Sequence, residues 1–259
     1  MMVLRDSHRM FLQSFMSRFV LNGQEVFSLL KSCCEKYNEA FSDEEKTQLL
    51  LDFCHLINSN ISMFGMEIKK ACDEMNGKSF YGLVNTTETS VALLSSQYTE
   101  NELDFVKKLI EEFVKSDRGS IGSIAAMDIT DSLPKKMSKV EADAFLDRLI
   151  HERWIGRTEA GRVYLGIRGL MEMEQYILEM YEEDAVRCNV CKKLCLQGEK
   201  CDCCTTKIHN HCSKRFFRDQ ADKRCPECQN SWPGGSQPSQ SKSADNSTSQ
   251  PRRKRKANS

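Results

Sequence analysis

Four cysteines and two histidines occupy thirteen positions in KCDCCTTKIHNHC, residues 200 to 212. Thiolates and imidazoles at this density are the ligand set of zinc, and one tetrahedral zinc ion takes only four. The stretch therefore either overfills one site or contributes to sites completed elsewhere. The surrounding spacing favours the second. Cys188 and Cys191 form C-x-x-C, Cys201 and Cys204 a second such pair, His209 and Cys212 an H-x-x-C, and Cys225 and Cys228 a C-P-E-C. These eight residues meet the demand of two tetrahedral ions, and a two-residue gap suits a knuckle that turns both side chains onto one metal. Cys195, Cys203 and His211 fall outside the pairs and are read as bystanders.

The chemistry implied is structural. Four protein ligands leave no coordination position for water, so neither ion is expected to activate one. The stretch from Cys188 to Cys228 is about 41 residues, near the size below which a chain needs metal to fold. Of the 13 cysteines, 9 lie in that stretch, a clustering that in a reducing compartment favours metal over disulfides. Such a compartment is expected because MMVLRDSHRM lacks the apolar core and cleavage site of a secretory signal. No run of about 18 apolar residues suggests a bilayer span, so no membrane partner is expected.

Elements that position this end are legible upstream. Met10, Phe11, Phe15, Met16, Phe19 and Val20 recur at helical spacing, as do Val26, Phe27, Leu29, Leu30, Cys33 and Cys34. Ser42 with Glu45 reads as a capping box ahead of a third helix through Leu49, Leu51 and Phe53. MEIKKACDEMNGKSFYGLVN then offers two strand arms around Asn76 and Gly77, a pair that accepts the positive φ of a tight hairpin turn. The pattern repeats. Thr99 with Glu102 caps a helix through Leu103, Val106, Leu109, Ile110 and Phe113, and Ser120 to Ala126 reads as a short helix. Ser138 with Glu141 caps another through Ala142, Phe145, Leu146 and Leu149. RWIGRTEAGRVYLGI supplies the second hairpin, and a closing helix runs through Leu170, Ile177 and Tyr181. Helices ending in a hairpin are the order of a winged helix. The expectation is an α+β chain: winged-helix domains at 1–97 and 98–185, a zinc domain at 186–232 and a disordered basic tail at 233–259.

Charge separates these parts although the whole chain is neutral. Residues 1–187 hold 22 Lys plus Arg against 31 Asp plus Glu, residues 188–232 hold 9 against 5, and residues 233–259 hold 6 against 1. An acidic body disfavours direct nucleic-acid binding, whose affinity comes mainly from Lys and Arg. The helix that would read DNA, KVEADAFLDRLIHERW, nearly cancels its own charge, which favours a protein-interaction role. His55 and His151 have no partner at ligand spacing, and Cys33, Cys34, Cys54 and Cys72 are expected as small buried groups. No G-x-G-x-x-G, G-x-x-x-x-G-K or G-x-S-x-G occurs, which leaves nucleotide and triad chemistry without a foothold.

The order Cys-Cys, Cys-Cys, His-Cys, Cys-Cys resembles the RING variant with histidine as fifth ligand. In that fold, pairs one and three share one zinc and pairs two and four the other. The resemblance assigns Cys188, Cys191, His209 and Cys212 to one ion, and Cys201, Cys204, Cys225 and Cys228 to the second. A PHD finger has similar ligands but usually an aromatic residue where Lys223 stands. Taken with the two winged helices, MYEEDAVRCNVC and RCPECQNSWP with Trp232 beyond the last ligand, the whole chain resembles the non-structural maintenance of chromosomes element 1 family. That family is the RING subunit of the SMC complex of the five/six type. The resemblance implies a MAGE-type partner, a kleisin-like partner, and ubiquitin ligase activity in DNA repair by homologous recombination. DNA contact would be indirect, through the complex.

A RING holds a ubiquitin-conjugating enzyme and its thioester-linked ubiquitin in a reactive orientation, so it needs no nucleophile of its own. The family's contact points correspond here to Val190, before the second ligand, and Pro226, after the seventh. Gln229 stands where many active RINGs carry Arg or Lys after the last ligand, and brings no charge. Weak activity without the MAGE-type partner is therefore expected. In the Ser-, Gln- and Pro-rich tail, Arg252, Arg253, Lys254, Arg255 and Lys256 form a basic run suited to nuclear import or phosphate binding, which fits a nuclear, chromosome-associated protein. Two other readings stay open: a scaffold whose RING-like domain only docks the partner, and a DNA-binding regulator that uses its winged helices.

Overall fold

The computed structural model describes residues 3–86, 98–220 and 222–233. The first unit runs α1 (Asp6–Ser17), β1 (Val20–Asn22), α2 (Gly23–Lys36), α3 (Lys46–Ile61), β2 (Met66–Cys72) and β3 (Ser79–Asn85). Its antiparallel sheet has the order β1-β3-β2, with Val20 opposite Gly82 and Met66 opposite Asn85. Phe11, Phe15, Val26, Leu30, Leu50, Phe53 and Ile57 form its core, with Phe11 edge-on to Phe53 at 5.7 Å.

Local chemistry explains three departures from the sequence expectations here. Phe19 and Val20 do not continue α1. The Asn22 side chain accepts the N–H groups of Gln24 and Glu25, and Glu25 accepts that of Asn22, a capping box that starts α2 and leaves Val20–Asn22 extended beside β3. Ser42 does not cap α3. Its hydroxyl accepts the N–H of Glu44 two residues on, in a local turn that holds the helix start back to Lys46. The hairpin turn is wider than two residues: Asp73 accepts from Met75 and Asn76, the loop spans 73–78, and only Gly77 has positive φ, at 69°. Cys33 and Cys34 are buried and Cys54 half-buried, burial pushing its thiol up to about 11. Cys72 is exposed although it shares a face of β2 with the buried Ile68, because it is the last residue of the strand, where the hairpin loop begins.

The second unit repeats the order: α4 (Glu100–Lys115), β4 (Ser120–Gly122), α5 (Ser123–Asp128), α6 (Lys139–His151), β5 (Ile155–Arg157) and β6 (Arg162–Leu165). Its sheet is again first, third, second, β4-β6-β5. Helix–strand–helix–helix–hairpin, paired this way twice, is the arrangement two winged helices require. The capping boxes of Thr99 with Glu102 and Ser138 with Glu141 both form. Ser138→Ala removes one of them and is expected to cost about 1 kcal/mol, read as a lower urea midpoint with unchanged slope. The segment expected as one helix from Ser120 splits into strand and helix. Arg162 donates to the Ser120 hydroxyl at 3.0 Å and to its carbonyl, and Ile121 pairs with Val163, so cross-strand bonding overrides helical propensity.

The closing helix α7 (Ile167–Met180) locks the units together. Ile167 and Met171 bury against Val84 of β3, and Lys69 of β2 pairs with Glu174 at 3.3 Å. Gly82 lets α7 approach closely at this crossing, where a Cβ would lie 2.9 Å from the Met171 sulfur and force that side chain to shift. Beyond α7 the chain forms a small unit with β7 (Glu199–Lys200), β8 (Lys207–Ile208) and α8 (Asn210–Phe216). Among the described residues no helix is long and apolar enough to cross a membrane.

Candidate metal centre

Two ligand groups form in the last unit. Cys188, Cys191, His209 and Cys212 gather in one, and Cys201, Cys204, Cys225 and Cys228 in the other, each with its ligand atoms within 4.8 Å of one another. The chain reaches this by crossing itself: the first and third pairs meet, and the second and fourth. β7 and β8 form the tie, and α8 starts at Asn210 so that His209 and Cys212 face one centre from its first turn.

Distances show whether a tetrahedral ion fits. Zn–S bonds of about 2.3 Å and Zn–N bonds of about 2.0 Å place neighbouring ligand atoms roughly 3.5–3.8 Å apart. Cys201 and Cys228 sulfurs lie 3.6 Å apart, as do those of Cys204 and Cys225. His209 Nδ1 lies 3.3 Å from the Cys191 sulfur and 3.9 Å from that of Cys212. Thiols packed this closely with no cation would repel once ionised, so the donor set suits a dication.

The ligand thiols differ in acidity: Cys201 and Cys212 are pushed up to about 11, while others are pulled down. A hydrogen bond from Cys195 is the chief cause that pulls Cys188 down to about 2, against burial. Burial works against ionisation of Cys225, but the backbone N–H groups of Cys228 and Glu227 outweigh it and bring the thiol down to about 6. Cys195 itself keeps its proton, raised by that same bond and by burial. Cys203 is exposed, and His211 stacks on His209 with ring centroids 5.0 Å apart.

One residue the sequence reading passed over stands behind His209. Glu74, in the hairpin loop of the first unit, lies 2.8 Å from His209 Nε2. A charged residue in a turn reads as solvent-exposed, and nothing in the sequence links it to a ligand 135 positions away. Glu74, Cys195 and His209 themselves make a third close group. His209 Nε2 is engaged there by Glu74 and by the Leu194 carbonyl at 2.9 Å, so the group surrounds the first centre and adds no further one. Glu74 and His209 also line a cavity of about 330 Å³, with Lys69, Cys191, Lys193 and Arg215.

Val190 and Pro226 are both partly buried, and Val190 packs on the cysteine-rich core. Gln229 has φ of 60° and turns its amide back, donating to the Pro226 carbonyl at 3.4 Å. The basic run Arg252, Arg253, Lys254, Arg255 and Lys256 lies outside the described residues.

Comparison with known proteins places this geometry. A chain of a solved Nse1-Nse3-Nse4 complex is similar with a TM-score of 0.81 at 34% identity, over 90% of this chain and 99% of that one. Non-structural maintenance of chromosomes element 1 homolog of Xenopus laevis is 35% identical over 89% of this chain and 84% of its own. The human homolog of the same name is 35% identical over 89% and 85%. Residues 8–173 match the family model described as Nse1 non-SMC component of SMC5-6 complex. The chain belongs to the Nse1 family. Residues 188–228 match a RING-like domain, so the Nse1 part and the RING-like part together span both helix–sheet units and all eight ligands. A fission-yeast Nse1, non-structural maintenance of chromosomes element 1 of Schizosaccharomyces pombe, is 23% identical over 88% of this chain.

Proposed function

We propose that this Nse1-family chain is the RING-type ubiquitin ligase subunit of an SMC5-6-type chromosome-maintenance complex. It acts in DNA repair by homologous recombination, in the nucleus, beside a MAGE-type and a kleisin-like subunit. The observation that carries this reading is the pair of crossed four-ligand groups, with Val190 and Pro226 placed next to ligands of each group. The similarity to a chain from an Nse1-Nse3-Nse4 complex supports the two partners. Cys188, Cys191, His209 and Cys212 hold one zinc ion, and Cys201, Cys204, Cys225 and Cys228 a second. When bound, the two ions supply the cross-links that a core this small lacks.

The chain's own residues then work by positioning. Val190 and Pro226 present an apolar contact to a ubiquitin-conjugating enzyme, and orientation of its thioester raises reactivity without covalent participation of the RING. Gln229 brings no charge to the ubiquitin and its amide is turned toward Pro226. Activity is therefore weak until the MAGE-type partner completes the contact. The same observation favours the second reading, a scaffold whose RING-like domain only docks the partner. The Arg252 to Lys256 run serves nuclear import, and DNA is met through the complex.

Ubiquitin discharge from a panel of conjugating enzymes, with the chain co-expressed with its MAGE-type partner, tests the reading. Val190→Ala is expected to lower discharge about tenfold, the effect of losing roughly 1.4 kcal/mol at an interface anchor, with metal content and partner binding intact. If no enzyme responds while the complex still forms, the scaffold reading replaces it.

A further inference from the structure

The hairpin loop that carries Glu74 is the place where the first unit touches the metal-binding unit most intimately. Glu74 is 3% exposed, deeper than a loop carboxylate ordinarily sits. Its Oε1 accepts the Leu196 N–H at 2.9 Å and faces His209 Nε2 at 2.8 Å, and its Oε2 accepts the Gln197 N–H at 3.1 Å. With both oxygens accepting, the group has the bonding of a carboxylate, satisfied by donors that all come from the metal-binding unit. Two glycines bring the backbones close enough for this. Gly77, at φ 69°, sits where a Cβ would lie 2.7 Å from the Cβ of His211. Gly119 of the second unit, at φ 60°, presses the same segment, its missing Cβ being 2.5 Å from the Leu196 carbonyl oxygen. Glu174 of α7 accepts the Leu194 N–H at 3.1 Å, and Lys207 donates to the Leu196 carbonyl at 2.7 Å.

We propose that Glu74 is a positioning residue that fixes the ring of His209 from behind, so that metal binding at the first centre and docking of the metal-binding unit on the helix–sheet body are one coupled event. The physical ground is an asymmetry in what removal leaves. A metal on Nδ1 requires Nε2 to keep its hydrogen, and a carboxylate partner both orients the ring and strengthens it as a ligand. Conversely, undocking would leave Glu74 without the three donors that compensate its burial, a costly state for a charge. Among the described residues the second centre shows no such link: the non-ligand groups hydrogen-bonded to its sulfurs, from Cys203, Thr206 and Asn230, belong to its own unit.

The inference rests on the zinc reading and can fail separately from it. The experiment is competitive zinc withdrawal by a chelator from the full chain, followed as two release steps, in wild type, E74A, E74Q and K69A. Lys69 pairs within the helix–sheet body with Glu174, the carboxylate that accepts the Leu194 N–H across the junction, and makes no hydrogen bond to His209, so K69A reports generic loosening of that support. E74A is expected to weaken one step by about 10–100-fold and leave the other unchanged. E74Q, which keeps the shape but turns an amide N–H toward one of the donors, is expected to weaken that same step by less. Amide exchange is expected to quicken from Leu194 to Gln197 in both, and K69A to match wild type in zinc release. E74Q also keeps the test open should E74A fail to fold. Two wild-type steps that E74A and E74Q leave in place, or that K69A shifts equally, would overturn the inference alone. A wild-type chain that holds no zinc would overturn the zinc reading and the inference with it.

Discussion

Withdrawing metal from the purified chain is expected to unfold residues 188–232 while the two helix–sheet units keep their helices. Of the eight buried residues in the core of that part, five are cysteines, and only Ile208, Phe217 and Trp232 are ordinary hydrophobes. Its paired strands are two residues each and its helix seven, far too little hydrogen-bonded structure to stand alone. A structural zinc contributes about 10–16 kcal/mol to such a fold, more than the stability of most whole domains. Far-ultraviolet dichroism should therefore change little, because α1 to α7 lie upstream. Trp232 fluorescence should move to the wavelength of a solvated indole, with Trp154→Phe introduced to leave a single emitter. A metal-free chain that keeps Trp232 buried would contradict the claim that zinc supplies the missing core.

Trp232→Ala is the substitution with the next largest expected effect, although it touches no ligand position. Trp232 is 2% exposed, its ring 5.5 Å from that of Phe217, and its Nε1 donates to Glu199 at 2.8 Å. The same carboxylate oxygen accepts from Ser213 of α8, so the indole joins β7, α8 and the last knuckle in one network. Truncation of a buried aromatic costs about 3–5 kcal/mol. Trp232→Phe keeps most of the ring and gives up the donor, for about 1 kcal/mol. Denaturant-induced zinc release should order the variants wild type, Phe, Ala. A midpoint for the Ala variant equal to wild type would show that the ligands alone hold this part.

Sequence legibility followed the range of the interactions. Capping boxes at Thr99 and Ser138 are complete within four residues, and both form. The cysteine and histidine pairs are local knuckles, so spacing alone displays them, while which pair meets which is a property of chain crossing that spacing does not carry. β1 and β4 were missed for the same reason. Three residues have no readable periodicity, and each pairs as a strand where a partner about sixty or forty residues later offers its backbone. Glu74 is the extreme case, a turn carboxylate whose meaning depends wholly on docking.

The two ligand groups together offer seven sulfurs and one nitrogen to two zinc ions. Zinc-edge X-ray absorption on the intact chain, with metal content measured on the same sample, tests this arrangement most directly. Two ions per chain are expected, with an average first shell dominated by sulfur, one nitrogen for every two ions and no oxygen. One ion per chain, or a shell with oxygen or with several nitrogens per zinc, would contradict it.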